Sequence, residues 1–104
     1  MEIDKQLKDE DYSSDTGSTA CVVFITKDRI FCANSGDSRA ILSQTGNRVK
    51  ALSEDHKPNN ATELQRIEKA GHSVMMERVD GELALSRAFG DFRFKDSPTL
   101  KPED

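Results

Sequence analysis

Residues 20–34, Ala-Cys-Val-Val-Phe-Ile-Thr-Lys-Asp-Arg-Ile-Phe-Cys-Ala-Asn, are the stretch that decides the fold class of this chain. Ala20 to Thr26 is a short apolar run rich in β-branched residues, which is typical of a strand buried on both faces. Lys27-Asp28 is a polar turn, and Arg29 to Asn34 predicts a second strand directly after it. Two such runs joined by a tight turn indicate an antiparallel hairpin.

Short strands continue on the C-terminal side of this hairpin. Ser35-Gly36-Asp37 interrupts the apolar pattern, and Ser38 to Ser43 resumes it. Thr45-Gly46-Asn47 is a further turn, and Val49 to Leu52 predicts a weak fourth strand. Turns at even spacing between short apolar runs are typical of an antiparallel meander.

A helical pattern follows these strands. Asn60 and Glu63 have the spacing of a capping box, and apolar residues recur at helical spacing as far as Ala70. Gly71 is a stop signal. We therefore predict a helix from Ala61 to Ala70.

The pattern then returns to strands. Ser73 to Val79 predicts a strand, and Asp80-Gly81 predicts a hairpin turn. Leu83 to Phe89 predicts a strand that passes into a helical turn ending at Gly90. The whole pattern predicts an α+β chain dominated by antiparallel strands.

The two ends of the chain are more polar than its middle. In residues 1–15, Ile3 and Leu7 have helical spacing, which indicates the end of a helix that begins upstream. From Phe92 the chain becomes charged and contains prolines, so we expect a loose tail and place residues 96–104 outside the domain. Residues 16–95 form the expected folded part.

Composition limits the classes of partner. Charged residues make up 33% and hydrophobic residues 35% of the 104 residues, a polar but still globular balance. We expect no nucleic-acid partner, because no basic patch is interleaved with aromatic residues. We expect no membrane partner either, because no run approaches the roughly 18 apolar residues of a membrane span. The acidic N-terminus is unlike a signal peptide, so we expect a cytoplasmic or nuclear location.

The two cysteines, Cys21 and Cys32, lie on the two predicted hairpin strands. With a turn at Lys27-Asp28, Val23 lies opposite Cys32 and Cys21 lies opposite Asn34. The thiols then share a face but lie diagonally, about 7–8 Å apart. That separation is long for a disulfide, so we expect reduced thiols, as in an intracellular protein.

The most unusual polar cluster is Asn34-Ser-Gly-Asp-Ser-Arg39, between two apolar runs. Gly36 permits a bulge or a positive φ, and a bulge aims the neighbouring Asp37 side chain away from the sheet toward a site. The alternative is a hairpin turn in which Asp37 accepts hydrogen bonds from nearby backbone N–H groups. The residues alone leave both interpretations open.

Two further polar clusters have ordinary structural explanations. Glu54 to Lys57 is typical of a solvated loop between a strand and a helix. In the pair Ser86-Arg87, the Arg either caps a helical turn or pairs with Asp91. The sequence contains no Gly-x-Ser-x-Gly, His-Glu-x-x-His or phosphate-loop motif.

These clusters, in this order, resemble the protein phosphatase 2C family of metal-dependent Ser/Thr protein phosphatases. The resemblance runs from about Thr16 to Lys95. It rests on five blocks of residues, Gly17 to Ala20, Ala33 to Ala40, Leu52 to Pro58, Glu63 to Gly71, and Arg78 to Asp91.

The sequence also departs from the family pattern. His72 stands where the family often has a second Gly. The family's Asp-Gly-His motif and phosphate-gripping Arg would precede these blocks, and its Asp-Gly-x-Trp-Asp and Asp-Asn motifs would follow them. The resemblance therefore implies a central fragment of the domain, part of an antiparallel β-sandwich flanked by helices and incomplete at both ends.

The resemblance implies a catalytic chemistry. Family members hydrolyse phosphoserine and phosphothreonine in phosphoprotein substrates with a hydroxide bound to two Mn²⁺ or Mg²⁺ ions held by carboxylates. Of that carboxylate set, only Asp37 has a match here, beside the metal centre. Thr19 matches a residue near the same water network, with a core residue bonded to backbone as the alternative. His56 does not match the family's catalytic His, so we expect it to be structural.

Two functions follow as expectations. The first is the core segment of an active phosphatase, inactive as the isolated chain because most metal ligands are missing. The second is a non-catalytic pseudophosphatase or regulatory binding module. In either case strands missing at both ends leave unpaired sheet edges, so we expect a strand-swapped homo-oligomer.

Overall fold

The structure, a computed structural model, describes residues 2–10 and 15–95 and contains both helices and strands. In chain order the described elements are helix α1 Glu2–Lys8, strands β1 Gly17–Ser18, β2 Ala20–Ile25, β3 Ile30–Ser35, β4 Ile41–Gln44 and β5 Arg48–Ala51, helix α2 Ala61–Lys69, strands β6 Val74–Met75, β7 Arg78–Val79 and β8 Phe89–Gly90, and a 3-10 helix Phe92–Phe94. No helix among the described residues is both long and apolar enough to span a membrane.

The predicted hairpin is confirmed in its register. In the antiparallel pair β2–β3, Val23 lies opposite Cys32 and Cys21 lies opposite Asn34. Both cysteines are free, as predicted. Desolvation, together with the neighbouring Cys21, raises the pKa of the Cys32 thiol, so this thiol stays protonated at neutral pH.

The predicted single meander is wrong. The described strands form four separate two-stranded antiparallel sheets, β1–β8, β2–β3, β4–β5 and β6–β7. The reason is the segment between β3 and β4. Gly36 has φ of 106°, and the chain leaves the sheet there instead of pairing β3 with β4.

The prediction that the first strand is buried on both faces is also wrong. Val22, Phe24 and Ile25 are 60%, 63% and 68% exposed. The strand pairs only with β3, so a two-stranded ribbon leaves side chains of both faces in solvent. Among the described residues, the buried apolar side chains lie elsewhere, around α2 and the C-terminal elements, and include Ile67, Val79, Ala88, Phe92 and the fully buried Pro58.

Helix α2 confirms the predicted helix, with Ala70 as its C-terminal cap. The predicted capping box is wrong, because Asn60 makes no side-chain cap hydrogen bond. Its amide donates to the carbonyl of Asp55 at 2.8 Å. The Glu63 side chain instead accepts hydrogen bonds from Arg66, Ser86 and Arg87.

The strand predicted for residues 73–79 is split by a tight turn. Met76 and Glu77 have φ of 51° and 61° and join β6 to β7, because left-handed residues match the twist of a two-residue hairpin. The chain also reverses at Asp80-Gly81, but the residues on either side form a single β-bridge, between Val79 and Leu83, and no further strand pairing. The strand predicted from Leu83 to Phe89 is therefore reduced to this bridge and to β8.

The C-terminal part is ordered further than predicted. Phe92 begins a 3-10 helix and is buried, which contradicts a loose tail from this residue onward. Lys95 donates to the Ala88 carbonyl at 2.8 Å and pairs with Asp4 of α1, whose carboxylate also accepts the Gly90 N–H at 3.0 Å. These contacts anchor the segment to α1. The tail predicted for 96–104 lies outside the described residues.

Candidate functional site

The Asp37 motif, residues 34–39, lies against the loop formed by residues 54–57. Gly36 N–H donates to His56 Nδ1 at 3.2 Å, and the Gly36 carbonyl accepts the His56 N–H at 3.0 Å. A Cβ at Gly36 would lie 2.4 Å from Thr19 Cγ2. Only glycine fits at position 36, where residues 34–39 cross Thr19 and the loop 54–57. At this crossing His56 holds the loop against the Asp37 motif.

Two further contacts fix the motif and the loop to each other. The Asn34 amide donates to the carbonyls of Gly36 at 3.0 Å and Glu54 at 2.8 Å. Arg39 donates two hydrogen bonds to Asp55, at 2.8 and 2.7 Å. These bonds from Arg39 lower the pKa of the Asp55 carboxyl group, which stays ionised at neutral pH.

Asp37 lies at the open side of this crossing, and its carboxylate forms an ion pair with Lys57. The carboxylate side chain is 26% exposed and the lysine side chain 43% exposed. Sequence reasoning left Asp37 as either a metal-site residue or a turn former, and it assigned no role to Lys57. Residues 55–58, Asp-His-Lys-Pro, include the residue that the sequence analysis missed. Lys57 directly follows His56, and His56 contacts Gly36, which directly precedes Asp37.

Thr19 lies beside the same motif. Its hydroxyl forms a hydrogen bond of 2.7 Å with the Ser38 hydroxyl, and its methyl group lies under Gly36. The structure thus brings Thr19 to the two residues that flank Asp37. The Thr19 hydroxyl thus bonds a side chain, whereas the alternative had it bond backbone groups.

A second cluster surrounds the buried Glu63 of α2 and consists of Glu63, Arg66, Ser86 and Arg87. Glu63 accepts hydrogen bonds from Arg87 at 2.9 and 2.7 Å, from Ser86 at 2.8 Å and from Arg66 at 3.0 Å. Burial alone would raise the pKa of Glu63, but these donors outweigh it and hold the pKa at about 2. The suggestion that Arg87 pairs with Asp91 or caps a turn is wrong, because its partner is Glu63.

His56 connects the Glu63 cluster to the Asp37 motif. Its carbonyl accepts the Ser86 N–H at 3.0 Å. The Ser86 hydroxyl shares its single proton between this carbonyl, 2.9 Å away, and the Glu63 carboxylate. A continuous set of hydrogen bonds therefore runs from Gly36 through His56 and Ser86 to Glu63. The sequence showed three polar clusters, and the fold joins them.

The segment after α2 carries a smaller polar cluster. Asp80 accepts the Ser73 N–H at 2.9 Å and contacts His72 Nδ1 at 2.6 Å. The Ser73 N–H and then His72 lower the pKa of Asp80. His72, the residue that departs from the family pattern, thus ties the end of α2 to the end of β7.

The described residues do not themselves form a metal centre. None of them group three or more His, Cys, Asp or Glu side chains in positions that could hold a metal ion. Asp37 is a single carboxylate that already contacts an ammonium group. Mn²⁺ and Mg²⁺ need about six oxygen ligands, so the Asp37 carboxylate by itself cannot hold either ion.

Comparison with known proteins decides the family. The sequence model of the protein phosphatase 2C family matches residues 1–103 of this chain. The chain belongs to the protein phosphatase 2C family. Protein phosphatase 2C homolog 2 of Aspergillus fumigatus is 53% identical over 98 residues, which are 93% of this chain and 23% of that protein. A probable protein phosphatase 2C of Caenorhabditis elegans is 47% identical over 106 residues, covering 100% of this chain and 30% of that protein.

A solved structure agrees with this assignment. A phosphatase from a pathogenic strain of Toxoplasma gondii matches with a TM-score of 0.63 and 35% identity, covering 88% of this chain and 39% of that one. The predicted phosphatase 2C-like α+β fold is thereby confirmed. This phosphatase 2C chain spans between about a fifth and a third of the length of the curated relatives quoted above.

Proposed function

We propose that this chain serves as a segment of a protein Ser/Thr phosphatase that hydrolyses phosphoserine and phosphothreonine in phosphoproteins and depends on Mn²⁺ or Mg²⁺. The observation that carries the proposal is the family match over residues 1–103, within which the residues around Gly36 are held by specific hydrogen bonds. Within such an enzyme Asp37 would belong to the metal region and Thr19 to its water network. Both side chains already lie at one crossing of the chain.

We also propose that the 104-residue chain is inactive by itself. Its described residues offer the metal region one carboxylate, and hard divalent ions need a larger oxygen ligand set. The role of the Glu63 cluster is to hold the helix and residues 86–87 against the Asp37 motif. The chain would contribute the Asp37 motif, already fixed in position, to one side of a site that other residues complete.

A chimera tests the proposal. The part of this chain that matches the Aspergillus fumigatus relative, 93% of its length, replaces the corresponding segment of that protein. Hydrolysis of a phosphothreonine peptide is then measured with Mn²⁺ for the chimera and for the chain alone. We expect turnover by the chimera and none by the chain. A chimera that melts like the relative but shows no turnover would contradict the phosphatase assignment.

The second candidate function is a non-catalytic binding module. The observation in its favour is the Lys57 ammonium at Asp37, because a resident cation at this carboxylate opposes metal binding. The same chimera separates the two functions, because a module that has lost catalysis would leave the relative inactive.

Self-association is a further proposal for the chain alone. The strands β2 and β3 contain no charged residue, and their apolar side chains are exposed on both faces. Because the β2–β3 ribbon carries no charge, two copies of it do not repel each other. The free edge of β2 in one copy can pair antiparallel with the free edge of β2 in the other. We propose a two-fold dimer that pairs or swaps these strands.

A further inference from the structure

His56 is one of the two histidines of the chain, and the structure fixes where its ring carries a proton. Its Nδ1 atom accepts the Gly36 N–H at 3.2 Å. A backbone amide nitrogen can only donate a hydrogen bond, so Nδ1 must present a lone pair. The ring is therefore neutral in this arrangement, and its single N–H proton lies on Nε2.

His72 has the opposite arrangement. Its Nδ1 lies 2.6 Å from a carboxylate oxygen of Asp80, and an ionised carboxylate can only accept. Nδ1 of His72 therefore carries a proton, and protonation of the second ring nitrogen turns the contact into an ion pair. At His56 the same protonation removes the acceptor and sets two donors, the Gly36 N–H and the Nδ1–H, against each other.

The loop that carries His56 is held by contacts that protonation of the ring leaves unchanged. The His56 carbonyl accepts the Ser86 N–H at 3.0 Å. The Asn60 amide donates to the carbonyl of Asp55 at 2.8 Å. When the ring bond is lost, the Asp37 motif therefore loosens from a loop that stays in place.

The charged groups on the segments packed around His56 are mostly paired with each other. They are Arg39 with Asp55, Lys57 with Asp37, Arg66 and Arg87 with Glu63, and the exposed Glu54. Arg39 first, and then Lys57 and His56, lower the pKa of Asp55, so the Asp55 carboxylate favours a charged ring. The Gly36 N–H opposes that charge, because only the neutral ring can accept its hydrogen bond.

We infer that His56 is a positioning residue for the Asp37 motif and acts only as the neutral ring with its proton on Nε2. Acid releases the Gly36 N–H from the ring in the range in which histidines titrate, between about pH 5 and 8. The Gly36 carbonyl keeps the His56 N–H at 3.0 Å, so the loosening is local. The inference deepens the proposed function and rests on it in one respect, namely that Asp37 belongs to the site.

The test is long-range ¹H–¹⁵N NMR of the histidine rings in the ¹⁵N-labelled full chain, which distinguishes protonated from unprotonated ring nitrogens. At pH 8, His56 should show an unprotonated Nδ1 and a protonated Nε2, and His72 should show a protonated Nδ1. Between pH 8 and 5 the protection of the Gly36 amide against hydrogen exchange, corrected for the intrinsic pH dependence of exchange, should fall about two- to tenfold. That is the loss expected for one hydrogen bond.

Variants at the two histidines separate the ring bond from general effects of acid. His56→Asn retains an acceptor oxygen close to the position of Nδ1 and does not titrate in this range, so its Gly36 protection should stay constant from pH 8 to 5. His56→Leu has no acceptor and should show the low protection at both pH values. His72→Asn is the matched control and should keep the pH dependence of the wild-type chain.

Several results would overturn the inference. A His56 ring that carries its proton on Nδ1 at pH 8, or that exchanges between both tautomers, would do so without any variant. Equal Gly36 protection at pH 8 and 5 in the wild-type chain would do the same, as would a fall in His56→Asn as large as in wild type. None of these measurements involves turnover, so an inactive chimera leaves them unchanged. An active chimera combined with Nδ1 protonation would retain the phosphatase assignment and remove the role of His56.

Discussion

Glu63 of helix α2 accepts two parallel hydrogen bonds from Arg87, 2.9 Å from Nε and 2.7 Å from Nη2. The two residues lie 24 positions apart in the sequence, and the pair joins the helix to the segment that follows the β6–β7 hairpin. Since Glu63 is only 4% exposed, its charge depends on these donors. Removing the Glu63 carboxylate takes away the acceptor of the Arg87 guanidinium, whereas Arg66 keeps its bond to the Ser86 carbonyl at 2.6 Å.

The first prediction concerns this pair. Glu63→Ala should lower the free energy of unfolding by about 2–3 kcal/mol, because a buried charged acceptor is lost while its donors remain. Urea unfolding followed by circular dichroism measures the change. Glu68→Gln, at an exposed position of the same helix, should cost little. Equal unfolding midpoints for the two variants would show that the Glu63 cluster does not stabilise the fold.

The second prediction concerns pH. The pKa of Glu63 is lowered from 4.5 to about 2 by folding, so its stabilising contribution is fully present above about pH 4.5 and is lost as the pH falls toward 2. The lowered pKa of Asp80 acts in the same direction. Urea midpoints measured from neutral pH down to acid should therefore fall for the wild-type chain. They should fall less steeply for Glu63→Gln, and identical slopes would contradict the assignment.

The third prediction compares two glycines with positive φ. Gly36→Ala should destabilise the chain by about 3 kcal/mol or more, because backbone strain adds to a Cβ placed 2.4 Å from Thr19 Cγ2. Gly46→Ala has strain but nothing within 4 Å, so a cost of about 1–2 kcal/mol is expected. Thermal melts of both variants measure the difference. Equal costs would mean that residues 19 and 36 are not packed as described.

The fourth prediction tests Asp37 in the chimera. Asp37→Asn should lower kcat by about 10–100-fold with an unchanged melting temperature, the loss expected when a group that orients metal-bound ligands is neutralised. A turn-forming role predicts nearly normal activity instead, since Asn makes the same turns. Asp28→Asn in the β2–β3 turn is the control. Kinetics across a Mn²⁺ titration separate the roles, and unchanged kcat with unchanged Mn²⁺ dependence would falsify the metal role.

The fifth prediction concerns self-association. The chain should run as a dimer at high concentration in light scattering, and Phe24→Lys should shift it toward the monomer by placing charge in the apolar ribbon. Met76→Lys adds the same charge at a side chain that is 94% exposed outside the ribbon and should leave the dimer intact. A wild-type chain that is monomeric at every concentration would contradict the proposed dimer.

Local patterns in the sequence predicted local structure well. The β2–β3 register followed from one short turn, because strand side chains alternate with period two. Helix α2 followed from apolar spacing and a glycine stop. The strand at 73–79 failed because Met76-Glu77 carries no typical turn residue, while Asp80-Gly81 does.

The sequence by itself determined the family and the order of the polar blocks, since these depend only on residue identities and spacing along the chain. Only the tertiary structure decided which blocks meet. Lys57 lies 20 residues from Asp37, and Arg87 lies 24 from Glu63. At such separations the partner of a charge is set by the path of the chain and by desolvation, because a buried carboxylate must find a donor wherever folding brings one.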